Sequence, residues 1–327
     1  MSAIKKFISS CCINIKNIFT NTNTRNDFDN TIFPNSNDNL NKYKITPIIV
    51  INFNKRNIRE QLGKGGSAIV YKYIDNNIEY ACKKQPSSIR AIEREINIMK
   101  SYKHNRYLPT YFDSYINSEN NLQNAMRYHY ILMEHCKGVE LFEQIKPNFD
   151  CTLATNIIYQ VVSAVNHLQK YKIIHCDIKL ENIIINSNNQ IKLIDFGLSR
   201  ILPENSNCIR QSRYTGTVGY VSPESILFNY ITLKTDIWSI GILYYILLNN
   251  SHVFNVVNIS KYKNQLCCMN SVIKQNNCFI VDNNTEKDFA VKQNMILFFK
   301  NTICYDKHRF TIRDCLHSNI FKNMIYI

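Results

Sequence analysis

Asp177, Lys179 and Asn182 fall within the run Ile174-His175-Cys176-Asp177-Ile178-Lys179-Leu180-Glu181-Asn182, and a second aspartate follows in Asp195-Phe196-Gly197. Three carboxylate or amide groups and one amine are thereby offered to a single point. The first three occupy a short loop after a helical pattern. Asp195 follows the alternating run Ile191-Lys192-Leu193-Ile194, and a hairpin there returns it beside that loop. Such a cluster suits phosphoryl transfer. An aspartate can orient an attacking hydroxyl and accept its proton, a lysine can offset charge on the moving group, and an Asn–Asp pair supplies hard oxygen ligands for magnesium.

A loop of this kind needs a rigid carrier. Leu153 to Tyr171 reads as a helix whose Ile157, Ile158, Val161, Val162, Val165 and Leu168 form a wide apolar stripe. Upstream, Leu62-Gly63-Lys64-Gly65-Gly66-Ser67-Ala68-Ile69-Val70 lies between strand-like segments. Glycine there lets a hairpin backbone approach phosphates with its amides facing them. In the next strand, Tyr80-Ala81-Cys82-Lys83, alternation puts Lys83 on the face of Ala81 and Val70 and sends its rival Lys84 outward. Ser88 to Lys100 reads as a helix, with Ile89, Ile92, Ile96 and Met99 on one stripe and Glu93 and Glu95 beside it. Leu108 to Ile116 and Tyr128 to Met133 read as strands joined by a polar, Asn-rich turn.

In combination and in this order, these stretches closely resemble the motifs of eukaryotic-type serine/threonine protein kinases, from about Arg56 to Phe321. The resemblance implies an α+β, bilobal protein-kinase fold over residues 56–324. A small antiparallel β-sheet lobe with one main helix would reach to about residue 135, and a larger, mostly α-helical lobe would follow from about 136. ATP would lie in the cleft, with magnesium or manganese. Carried over residue by residue, Asp177 and Lys179 are the catalytic pair, and Asn182 and Asp195 hold the metal. Lys83 meets the nucleotide phosphates and pairs with a helix glutamate, by register Glu95, with Glu93 as the rival. The stretch Leu62 to Val70 covers the phosphates. Ala81 and Ile184 sandwich the adenine, and the hinge backbone at Glu134 and Cys136 bonds its edge, behind Met133. Lys179 is of the serine/threonine type, so protein substrates with Ser or Thr acceptors are implied.

The same resemblance assigns supporting contacts. Thr217 of Gly216-Thr217-Val218-Gly219-Tyr220-Val221-Ser222-Pro223-Glu224 should touch Asp177 and Lys179. Asp236 of Thr235-Asp236-Ile237-Trp238 should anchor the catalytic-loop backbone, and Arg309 should bond Glu224. Glu140 and Glu181 imply a preference for basic residues near the acceptor. Three positions depart from the family pattern: Ala68 for a third glycine, Ser222 for an alanine, and Cys176 for an arginine. In the family that arginine binds a phosphorylated residue of the activation loop. Cysteine cannot make paired charge-assisted bonds, and Arg213 stands where many relatives carry the phosphothreonine. Little dependence on activation-loop phosphorylation is therefore expected. The alternative is a catalytically silent pseudokinase acting as a binding scaffold; the presence of all five polar catalytic positions opposes it.

The formal charge of +14 raises nucleic acid or an anionic membrane as partners. No dense basic stripe with interleaved aromatics is present, and the abundance of Asn, Ile, Lys and Tyr follows A+T-rich codon usage, so no specific nucleic acid is expected. The 12 cysteines are scattered, without C-x-x-C metal spacing. An intracellular, cytoplasmic setting fits. Residues 1–43 read as a basic N-terminal segment and an Asn-rich disordered linker, with the folded domain starting near Tyr43 to Asn54. The segment's Lys5, Lys6 and Lys16 among apolar residues, with Cys11-Cys12, raise membrane attachment as a weaker reading. Asn249 to Phe299 carries no pattern that places its helices.

Overall fold

The computed structural model describes residues 53–66, 68–86, 89–102, 104–121, 124–254, 256–271 and 286–322. The expectations for residues 1–43, for Cys11 and Cys12, for Ser67 and for the domain end at 324 lie outside the described residues.

Strands β1 (Ile58–Lys64), β2 (Ile69–Asp75), β3 (Ile78–Pro86), β4 (Tyr111–Asn121) and β5 (Asn124–Glu134) make one antiparallel sheet in the order β1-β2-β3-β5-β4. Helix α1 (Ile89–Ser101) buries Ile92, Ile96, Ile98 and Met99 and leaves Glu93 exposed. A separate aromatic cluster belongs to the sheet: Tyr73, Tyr80 and Tyr130 are buried with Cys82 and Leu132. Phe53 caps it, stacked on Tyr73 at 5.6 Å and on Tyr115 at 4.7 Å between ring centroids.

The β4–β5 hairpin departs from the sequence reading. Pairing continues to Asn121↔Asn124, so most of the Asn-rich stretch expected as a turn is strand. Ladder hydrogen bonds come from the main chain and need no particular side chain, so pairing runs past the end of the hydrophobic pattern. At its other end β4 starts at Tyr111 instead of Leu108. The preceding segment is bound elsewhere, because the Leu193 amide donates to Tyr107 O at 2.9 Å.

The large lobe follows the short β6 (Val139–Glu140) and α2 (Leu141–Gln144). Its first long helix, α3 (Cys151–Gln169), starts and stops two residues earlier than the apolar stripe suggests. Asp150 sets the start by accepting the Leu153 amide at 2.6 Å. Beyond it lie β7 (Ile173–Ile174), β8 (Ile183–Ile185), β9 (Ile191–Leu193), β10 (Arg200–Ile201), β11 (Ile209–Arg210), α4 (Pro223–Phe228) and β12 (Tyr230–Ile231).

Helix α5 (Thr235–Asn249) is buried on all sides from Thr235 to Leu247, which is why its sequence shows no polar stripe. Gly241 lets it approach α7 (Glu286–Thr302) closely: a Cβ there would lie 2.5 Å from Thr302 Oγ1. Helices α6 (Ile259–Cys267) and α7 place part of the segment that the sequence left open, and α8 (Ile312–Leu316) ends the lobe. Across this core Arg309 grips Glu224 through both nitrogens, at 2.8 and 3.0 Å. Burial alone would raise the Glu224 pKa, but the guanidinium outweighs it and holds the carboxyl below its usual range. Among the described residues no helix is long and apolar enough to cross a membrane.

Candidate active site

The catalytic-loop backbone is fixed from below. Asp236, at the start of α5, accepts the amides of His175 at 2.8 Å and Cys176 at 2.9 Å. These bonds hold Cys176 at φ 68°, a left-handed conformation costly for a side chain with a Cβ. The turn that follows presents Asp177. Its carboxylate accepts from Thr217 Oγ1 at 2.6 Å and from Asn182 Nδ2 at 3.0 Å, and Lys179 Nζ lies 3.3 Å away. Lys179 also donates to Thr217 at 3.0 Å, closing a ring of three side chains. Thr217 can come this near because Gly216, at φ 117°, has no Cβ: one would sit 2.8 Å from Cys176 O.

β8 pairs with β9 as the alternating run suggests, and the chain then returns Asp195 to the cleft. Lys83 Nζ joins the lobes, 2.6 Å from Glu95 Oε1 and 2.8 Å from Asp195 Oδ1. Burial alone would lower the lysine pKa, but the two carboxylates raise it above the ordinary value, so the amine stays charged. Lys83 in turn holds the Asp195 carboxyl well below its usual range. Gln85 Nε2 donates to the other Glu95 oxygen at 3.3 Å. The rivals lie elsewhere: Glu93 is exposed, and Lys84 sits 4.2 Å over the Tyr128 ring. Phe196 packs on His175 and Tyr102 at 5.2 Å each, which seats the Asp-Phe-Gly turn against the end of α1.

Asn182 uses its amide group on Asp177 O and Oδ2, and Asp195 Oδ1 is taken by Lys83 and the Gly197 amide. Asn182 Oδ1 and Asp195 Oδ2 have no such partner among the described residues, and these hard oxygens fit magnesium. Above them the β1–β2 hairpin is closed by the Gly65 amide donating to Ala68 O at 2.9 Å, with nothing within 4 Å of a Cβ built on Gly63 or Gly66. Leu62 is exposed and Lys64 ends β1, while Val70 faces Lys83 across the ladder and Ile69 faces Lys84.

The protein kinase domain family matches residues 56–321. The chain belongs to that family. It is similar to an Aurora kinase of Eremothecium gossypii, 34% identical over 208 residues, which are 60% of this chain and 53% of the relative. Human death-associated protein kinase 2 is 33% identical over 215 residues, 60% of this chain and 55% of the relative. The chain spans about half the length of these curated relatives.

The hinge of this kinase domain runs from Met133, which pairs with Ala81, to Cys136. The Glu134 amide is already donated to Thr110 O at 2.8 Å, so of its main-chain groups only the carbonyl can meet an adenine edge. Sequence reasoning missed its side chain. The Glu134 carboxylate takes Lys192 Nζ at 2.7 Å and the Thr110 amide at 3.1 Å, tying the hinge to β9 and to the segment before β4. Cys136 is an inert thiol, its pKa pushed up to about 12 by burial. Ile184 is half-buried between the buried Ile183 and Ile185, so the pleat turns it away from their face.

Two carboxylates flank this centre. Ile184 pairs with Glu140 in the β6–β8 ladder. Burial, then Glu181 and Glu143, raises the Glu140 pKa, and burial raises that of Glu181. Both Glu181 oxygens are buried without a hydrogen-bond partner. On the opposite side of the catalytic loop, Cys176 packs with Ile174, Leu202 and Ile231 in an apolar cluster that Ile209 and Leu233 extend. Burial, reinforced by Asp236, keeps this thiol neutral.

Proposed function

We propose that this chain is a serine/threonine protein kinase that transfers the γ-phosphoryl group of Mg-ATP to Ser or Thr hydroxyls of protein substrates inside the cell. The observation that carries this reading is the ring of Asp177, Lys179 and Thr217 set beside a Lys83 that engages Glu95 and Asp195 together. Asp177 orients the acceptor hydroxyl and takes its proton. Lys179 offsets charge on the transferring group, and Lys83 positions the nucleotide phosphates. Asn182 and Asp195 would hold the magnesium, which supplies charge neutralisation at the phosphates. The names of its Aurora and death-associated relatives support the same reaction class.

Two finer features belong to the reading. Acceptor sites with nearby basic residues are preferred, because the Glu181 carboxylate has no hydrogen-bond partner and, with its neighbour Glu140, feels only the more distant charge of Lys179, so a substrate arginine would supply the direct bonds. The activation segment needs little phosphorylation, because apolar packing at Cys176, the β10–β7 pairing and the β11–β12 pairing already hold it. Residues 1–43 stay outside the kinase domain as a basic extension.

The test is transfer of radiolabelled γ-phosphate from Mg-ATP to a mixed Ser/Thr peptide pool. Label that vanishes in Asp177→Asn and in Lys83→Met supports the kinase. No label from wild type that still binds Mg-ATP would turn the reading to a scaffold.

A further inference from the structure

Glu95 is held at both of its oxygens. Oε1 accepts from Lys83 Nζ at 2.6 Å, and Oε2 accepts from Gln85 Nε2 at 3.3 Å. All three side chains are buried: Lys83 is 7%, Gln85 8% and Glu95 2% exposed. An ionised carboxylate only accepts, so the Gln85 amide must face it with its nitrogen. Alternation along β3 puts Gln85 on the face of Ala81 and Lys83, towards α1. Opposite Gln85 in the ladder stands His129, which is buried too. Burial lowers the His129 pKa against the opposing charge of Glu93, so the imidazole stays neutral and offers Glu95 no second cation.

The other side of α1 offers no comparable tie. There Arg90 and Arg94 face Arg200 and Ile201 across a cavity, and among the described residues no ion pair joins the helix to the activation segment. Burial, and then the charge of Arg94, lowers the Arg200 pKa, so like charges face each other across that space. A buried amide costs free energy unless it is bonded, and the bond Gln85 makes is to Glu95. Phosphoryl transfer of this kind needs the helix glutamate on the strand lysine, an arrangement that activation-loop phosphorylation controls where the helix is free to move.

We propose that Gln85 is a positioning residue for phosphoryl transfer: by bonding the second oxygen of Glu95 it keeps α1 seated and the Lys83 pair formed without a phosphorylated activation segment. This role rests on the phosphoryl-transfer reading, and its test includes a measurement that needs no transfer.

Gln85→Met keeps the volume and removes the donor. The full chain is treated with phosphatase and assayed well below its unfolding midpoint, so lost stability alone does not lower the rate. The variant is expected to lose about tenfold in kcat, with KM for the peptide within about twofold of wild type. Hydrogen exchange of the α1 amides should quicken about fivefold or more, while the α3 amides keep their wild-type rates. Gln85→Glu keeps the size and supplies the rescue. Burial and Glu95 raise the pKa of the introduced carboxyl against the pull of Lys83, with His129 neutral opposite and Glu93 exposed on the helix. Protonated, it donates to Glu95 as the amide does; ionised, it repels. Its rate relative to wild type is therefore expected to fall as pH rises from about 6 to about 9. A Gln85→Met kcat equal to wild type, or a flat pH ratio for Gln85→Glu, would overturn the proposal. So would unchanged α1 exchange in Gln85→Met, and that comparison alone decides if the wild type transfers no phosphate. If Gln85→Met does not fold, the pH ratio of Gln85→Glu and its α1 exchange at alkaline pH decide instead.

Discussion

Asp177 and Cys176 are neighbours in the chain and opposites in environment. Around Asp177, Thr217, Asn182 and Lys179 surround the carboxylate, and the nearby Lys83 answers two acids. Around Cys176 the side-chain neighbours are Ile174, Leu202, Ile231 and Ile209, and polar contact is made by its main-chain amide to Asp236 and a weak Sγ contact to Ile174 O. The difference separates two tasks. Where charge must develop, the fold supplies prepositioned polar groups, whose strength depends on being matched. Where the segment is held, the contacts are apolar, and the proposed independence of phosphorylation rests on that packing.

The comparison can be broken at its polar end first. Asp177→Asn keeps the shape of the ring but removes the base, and peptide phosphorylation is expected to fall by roughly a hundredfold or more. Lys83→Met should do similar damage to turnover and also leave Glu95 buried without its cation. Breaking such a pair costs about 3–5 kcal/mol, read as a lower denaturation midpoint. Wild-type stability in that variant would mean that Glu95 finds another partner. At the apolar end, Cys176→Arg forces a guanidinium into a packed cluster and should destabilise by about 1–3 kcal/mol. Cys176→Ala should stay within about 1 kcal/mol and keep full turnover, and phosphatase treatment of wild type should leave the rate unchanged. A rate that collapses on phosphatase treatment would mean that packing alone does not hold the segment.

The smallest effect separates stability from function. Glu181→Gln removes a buried, unpartnered charge and should stabilise the fold by about 1 kcal/mol at neutral pH, while raising KM for arginine-containing peptides. Its sign follows from the raised pKa. A carboxyl whose folded pKa lies above its unfolded one costs stability when ionised, so the gain is full above the folded pKa and disappears as pH falls below the unfolded one. In wild type the attraction for a basic peptide fades in the same direction. Because the Glu140 and Glu181 pKa values are raised, KM should climb on acidification at a higher pH than ordinary carboxylates would give.

Legibility in the sequence followed how local each signal was. Lys83 over Lys84 came from strand alternation, and the observed ladder and contacts agree. Helix α5 offered no stripe because it is buried all round, and its motif was readable only by resemblance. The β4–β5 hairpin misled because its outer half is held by main-chain pairing that polar side chains do not announce. Glu134 was read as a hinge backbone position, yet its carboxylate bonds Lys192, 58 residues away.

By itself the sequence determined the constellation: which residue types could do phosphoryl chemistry, their order, and the helix and strand periods that carry them. Those are short-range properties, set by side-chain chemistry and by repeats of 3.6 and 2 residues. Only the tertiary structure decided which charges would meet and which would be left unmatched. Arg94 and Arg200 face one cavity, and Glu181 keeps a buried carboxylate without a partner, because burial and long-range contact are properties of the packed chain. The energy of a charge depends on what surrounds it, and packing sets those surroundings.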